Sequence, residues 1–235
     1  MLRTLSSASR HRRATPLYLA ASLFAFGACG PDTEARWNEY LDETNDAREA
    51  AAAAGSCDGE ACAACNISGY HLVGLETLLG IGTPIQFMTE VVSDGATATF
   101  SFQPLSLDMG AIDTPREEVG DPIVVEDVPI VDGTFTINFG EVTVSGEANP
   151  ISGGDIVATI VLEGRILSSD AWAGTVSGMA SSPVSADLSG STFGAYRVAD
   201  PAERPVFPCD VSSGEKICYT TCALLSEYID AMSGD

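Results

Sequence analysis

In three segments between residues 96 and 144 apolar and polar side chains alternate with a period of two, and this rhythm constrains the fold more than any other feature. "ATATFSF" sets Ala96, Ala98, Phe100 and Phe102 on one face, with threonine and serine on the other. "TFTINF" does the same with Phe135, Ile137 and Phe139, and "EVTVS" with Val142 and Val144. Successive side chains of a strand point to opposite sides, so each segment reads as a strand with one buried face. "SDG" at 93–95 and "VDG" at 131–133 put Asp-Gly between such segments, a hairpin signature, and "SSD" at 168–170 marks a further turn. Nine strands are expected, beginning near residues 69, 84, 96, 122, 134, 141, 155, 171 and 190. Nothing between them is long or periodic enough to be a crossover helix. Residues 67–200 are therefore expected to form an antiparallel meander closing into a barrel or sandwich, in a mainly β protein.

Helices are expected on both sides of this region. In residues 33–54, Trp37, Tyr40, Leu41, Thr44, Ala47, Ala51 and Ala54 fall on one helical face, with Asp32 or Thr33 to cap and Gly55 to stop. Residues 201–235 begin with the Pro-rich link "DPAERPVFP" and read as helical from about Glu215. Cys218, Cys222, Leu225, Ile229 and Met232 would then share a face. Residues 29–66 hold the N-terminal helix and a cysteine cluster, and 1–28 are of a different character.

Those first 28 residues carry four arginines and no acidic residue, followed by the uncharged run "LYLAASLFAFGA" at 17–28. A run of 12 is too short to cross a bilayer, which takes about 20 residues, and has the size and flanks of a secretory signal core. It ends in "FGAC", with Gly27 and Ala28 before Cys29 and Phe26 where leucine is usual. Basic region, apolar core and small-small-Cys together resemble the lipobox of bacterial lipoprotein precursors. The resemblance implies cleavage before Cys29, a diacylglycerol thioether on its sulfur, and acylation of the new amino group, for instance by palmitate. Several acyl chains anchor stably where one binds only marginally. Gly30, in place of aspartate, points by analogy to the outer membrane of the cell envelope.

The leader holds four of the 11 basic residues and none of the 33 acidic ones, so the rest carries seven against 33, a net −26. Such a surface repels nucleic acid and anionic head groups, which removes both as electrostatic partners. "DETNDAREAAAA" lacks the glycine and closing glutamate of a calcium-binding EF-hand loop.

Catalytic chemistry is short of parts. Beyond the leader there is one histidine, His71, and one lysine, Lys216. A Ser-His-Asp triad would need His71 as its base, but "GYHLVGLET" reads as a strand and no G-x-S-x-G elbow occurs. One histidine cannot build a histidine-rich metal site. "GIGTP" lacks the third glycine of a dinucleotide loop. No catalytic residue, metal ligand or cofactor-binding residue is assigned.

Setting aside Cys29 leaves Cys57, Cys62 and Cys65 before the β region and Cys209, Cys218 and Cys222 after it. In an exported chain these read as disulfides rather than zinc ligands. Six cysteines allow 15 pairings, and three on each side require at least one bond between the groups if all six pair. Cys218 and Cys222, a helical turn apart, would project side by side and pair poorly. Two or three cross-links clamping the two ends together are expected, and closing a loop of about 150 residues is worth on the order of 5 kcal/mol in the chain-entropy model.

The function expected is binding without catalysis. The ligand would be an apolar small molecule in the barrel mouth; a rival partner is an envelope protein docked on the acidic surface. The alternative class is a carboxylate-dependent hydrolase of envelope polymers. Oligomeric state is left open.

Overall fold

The computed structural model describes residues 60–106, 116–210 and 216–233. The signal segment expected over 1–28, Cys29, the helix expected over 33–54 and Cys57 lie outside the described residues.

Seven strands follow in meander order: β1 (Gly69–Glu76), β2 (Ile85–Ser93), β3 (Thr97–Pro104), β4 (Ile123–Val131), β5 (Thr134–Val144), β6 (Ile156–Ser168) and β7 (Ala171–Ser182). After the short β8 (Ala186–Asp187), β9 (Ser191–Arg197) inserts between β7 and β1 and closes the ring. The result is an eight-stranded antiparallel barrel, of the two architectures that the alternation left open. β8 extends the wall beside β7, beyond the end of β9.

The segments expected to start at 134 and 141 are one strand. β5 runs through both, with a register shift against β6 between Asn138 and Gly140 that keeps Phe139 and Val142 on the apolar side. A bulge of this kind adds a residue without ending the strand, so the alternation alone reads as two pieces.

Aromatic rings fill the lower half of the barrel, where the 93–97 and 131–134 hairpins lie. Trp172 is fully buried, with the rings of Phe135 and Phe193 both at 5.6 Å, Phe100 at 5.7 Å and Phe102 at 6.5 Å between centroids. All four contacts are edge-on, an arrangement favoured by ring quadrupoles, and together they make this half solid. Gly164 makes room for the cluster, since a Cβ there would meet the ring of Phe135. Below it, Ile67 is fully buried and the Cys62–Cys65 loop lies against the turn at Gly133. The lower end is closed.

The chain after β9 straps the outside of the wall. The ring of Phe207 lies on Gly74, and the carbonyl of Tyr219 lies on Gly194, which pairs with Gly74 across β1 and β9. Glycine at these two positions permits the close approach. Gln86 Oε1, beneath the strap, accepts from the backbone N–H of Phe207 at 3.2 Å and from the buried Arg116. β10 (Cys209–Asp210) and β11 (Ile217–Cys218) form a two-residue ladder within the strap. The C-terminal helix α1 (Cys222–Ser233) starts seven residues later than the expected Glu215, because Ile217 and Cys218 are committed to that ladder. Thr221 marks the true start, its hydroxyl accepting from Leu224 N–H at 3.4 Å. Cys222 and Leu225 share the face packed on Ala171 and Ala173, and Cys218 is not part of the helix.

Candidate functional site

The upper end of the barrel differs from the lower. Going up from the aromatic cluster, the inner wall becomes aliphatic: Leu75, Ile85 and Phe87 from β1 and β2, Val144 from β5, and Ile156, Ala158 and Ile160 from β6. These leave a cavity of about 100 Å³, and a further 20 Å³ opens deeper, between Val73, Phe102, Phe139 and Leu162. The gap follows from size: Ala158 and Ala180 stand where the lower half carries Trp172 and phenylalanines.

Loops roof this mouth with more apolar side chains. Asn149 folds the 145–155 loop by donating to Ser152 Oγ and the Gly154 carbonyl, both at 2.7 Å, and accepting from Ile151 N–H at 3.0 Å. The loop thereby holds Ile151 against Gly80 of the facing 77–84 loop. Ile151 and Val184 are 38 and 53% exposed, an apolar rim on an apolar hole.

Beside the mouth, on the outer side of the wall, lies a second cavity of about 180 Å³ between the 77–82 loop, the top of β9 and the start of α1. Glu76 stands in its wall. One carboxylate oxygen accepts from Gly82 N–H, and the other accepts from Thr220 Oγ1 at 2.6 Å. Thr192 and Thr220 hydroxyls are joined at 3.1 Å. Thr77 borders both cavities, and its buried hydroxyl has no hydrogen-bond partner. A larger depression of about 470 Å³ lies open on the outer face, with Glu163 its one acidic side chain. None of these cavities brings two carboxylates together.

The residues singled out in the sequence lie elsewhere. His71 projects into the lower barrel, fully buried and 5.9 Å edge-on from Trp172. Neither of its ring nitrogens has a hydrogen-bond partner, and the same holds for Thr89 Oγ1 opposite it in β2 and for Trp172 Nε1. Burial, followed by the nearby Arg197 guanidinium, lowers its pKa from the ordinary 6.5 to about 4. Arg197 itself is held by Asp170 at 2.6 Å and the Ser68 carbonyl at 2.7 Å. His71 is neutral at pH 7 and opens onto neither upper cavity.

The cysteine pairing differs from the expected clamp. Cys62 bonds Cys65, three residues away, and Cys209 bonds Cys218, so both bridges are local. Cys222 is also disulfide-bonded, to a partner outside the described residues. Two or three cross-links are thus reduced to one at most. The bridge from Cys209 forms because β10 and β11 place the two residues opposite each other, an arrangement that helix periodicity does not foresee. Among the described residues no three His, Cys, Asp or Glu side chains gather as a metal site, and no helix is long and apolar enough to cross a membrane.

Sequence reasoning passed over the mouth. Its signal was leucine, isoleucine and valine inside turn segments, "TLLGIGTP", "NPISGG" and "SPVS", where polar residues are the rule. No protein-family profile, curated protein or solved structure matches the chain.

Proposed function

We propose that this protein is a lipid-anchored β-barrel of the bacterial cell envelope, most consistent with the outer membrane, that binds an apolar group in its open mouth and performs no catalysis. The observation that carries the reading is the aliphatic cavity at the upper end, bordered by exposed Ile151 and Val184. An apolar cavity of about 150 Å³ stays dry and takes up benzene. The space here, about 100 Å³ with a narrow extension of about 20 Å³, suits the end of a hydrocarbon chain. Whole drug-sized ligands need about 300 Å³ or more. The anchor rests on the lipobox-like leader ending at Cys29. The hydrolase alternative gains nothing from these cavities, which lack a carboxylate pair.

Isothermal titration with octanol tests the binding role. One site per chain is expected, abolished by Ala158→Phe, which places a ring in the cavity. Saturable binding that is absent from the wild type, or unchanged in the variant, would sink the reading. Mass spectrometry of compounds extracted from the purified protein is expected to show a chain-bearing compound in the wild type and its loss in the variant.

A further inference from the structure

We propose that the mouth and the cavity beside it form a single site for an amphiphile bearing a cationic amine head, with its chain in the barrel and its head against Glu76. The inference rests on the apolar-ligand reading above and adds the chemistry of the head group.

Three observations meet at the lip. The first is position: Thr77 borders both the aliphatic mouth and the 180 Å³ side cavity, so a molecule crossing the lip reaches from one to the other. The second is an unmet hydrogen bond. Thr77 is only 7% exposed, and its hydroxyl lacks a partner, although leaving such a group unsatisfied costs about 1–3 kcal/mol. A polar head at the lip would satisfy it. The third is charge. Glu76 accepts one hydrogen bond at each oxygen, from Gly82 and Thr220, whereas a carboxylate offers about four lone-pair sites. Among the described residues no Lys, Arg or His forms an ion pair with it. Lys216 passes close to Gly82 by its backbone and Cβ, yet its ammonium makes no ion pair with Glu76.

The remaining capacity of Glu76 selects the head. An ammonium donates up to three hydrogen bonds, and Glu76, Thr77 and Thr192 offer oxygen acceptors around the cavity. A fatty carboxylate would set a second negative charge beside Glu76, on a chain whose formal charge is already −22. A neutral alcohol gains the hydrogen bonds without the ionic contribution. Charge-assisted hydrogen bonds are roughly twice as strong as neutral ones.

Octylamine, octanol and octanoate, titrated into the purified protein at pH 7 and physiological salt, separate head from tail. Octylamine is expected to bind at one site at least tenfold more tightly than octanol, with octanoate weakest. Glu76→Gln keeps the acceptor for Gly82 and is expected to bring octylamine down to the octanol level. Ala158→Phe is expected to remove binding of both. Near-UV circular dichroism checks the fold; if Ala158→Phe is misfolded, Val184→Trp on the exposed rim takes its place. Equal binding of octylamine and octanol, insensitive to Glu76→Gln but lost on plugging, would overturn the head-group inference and leave the apolar site standing. Multiple octylamine sites per chain that ignore the plug would be surface ion exchange and would overturn it too. Octanol binding that ignores the plug, or is absent, would defeat the apolar reading itself.

Discussion

The imidazole of His71 lies between Thr89 and Trp172 with no hydrogen bond of its own, and its environment makes a prediction about acid stability. Burial and Arg197 lower its folded-state pKa to about 4, while the carbonyls of Gly69 and Ser169 and the carboxylate of Asp170 oppose the shift. Below the unfolded pKa of about 6.5 the unfolded chain binds a proton here that the folded one refuses. The group's contribution is therefore present above pH 6.5 and is lost as pH falls through about 4, a change of up to about 3 kcal/mol. His71→Leu removes this dependence. Urea unfolding at pH 7 and pH 4.5 is expected to show the wild type losing about 2 kcal/mol more than the variant. Equal losses would mean that His71 does not titrate in a dry site. The same residue shows how far the sequence was legible at this scale: its strand could be read from "GYHLVGLET", but not its complete burial. Alternation says that a side chain faces one side of a sheet, and closure decides whether that side is dry.

Strand pairing in this barrel is tight enough that single glycines are required, for two distinguishable reasons. Gly178 in β7 has φ +129°, and a Cβ there would strike the carbonyl oxygen of Thr159 on β6. Gly95, in the β2–β3 turn, has φ +92° but open space around it. Gly95→Ala bears only backbone strain, expected at about 1–2 kcal/mol, whereas Gly178→Ala adds a clash with backbone that cannot rotate away and is expected to exceed 3 kcal/mol. Thermal unfolding of the two variants checks the order, and similar losses would show that β6 and β7 separate easily. The element boundaries follow the same division. Hairpins at 93–97 and 131–134 were legible because Asp-Gly chemistry is local, and "TFTINFGEVTV" was misdivided because a bulge is defined by its partner strand. The late start of α1 belongs with the latter, since only pairing with Cys209 takes Cys218 out of the helix.

The two local bridges leave one disulfide open at the level of the whole molecule. Seven cysteines less four in local bridges leave Cys29, Cys57 and the oxidised Cys222. If Cys29 carries lipid on its sulfur, Cys57 alone remains to partner Cys222. Non-reduced peptide mapping is expected to recover those two in one peptide pair, and Cys29→Ser is expected to leave that pair intact while moving the protein from the detergent phase to the soluble extract. A Cys29–Cys222 peptide would remove the thiol that lipidation requires. One bond joining the two ends closes a loop of over 150 residues, worth on the order of 5 kcal/mol in the chain-entropy model. A second would have added much less, since the first already confines the unfolded chain.

By itself the sequence determined what neighbouring residues can dictate: which segments are strands, where Asp-Gly turns them, and that no crossover helix makes the sheet parallel. The parity of its cysteines also bounded their pairing. Only the tertiary structure decided what depends on residues far apart in the chain. β9 closes the ring against β1, aromatic rings crowd one half of the interior, and the alanines of β6 and β7 leave the other half open. Alternation is a property of one strand, whereas a cavity is the volume left by eight, and that remainder is written in no single segment.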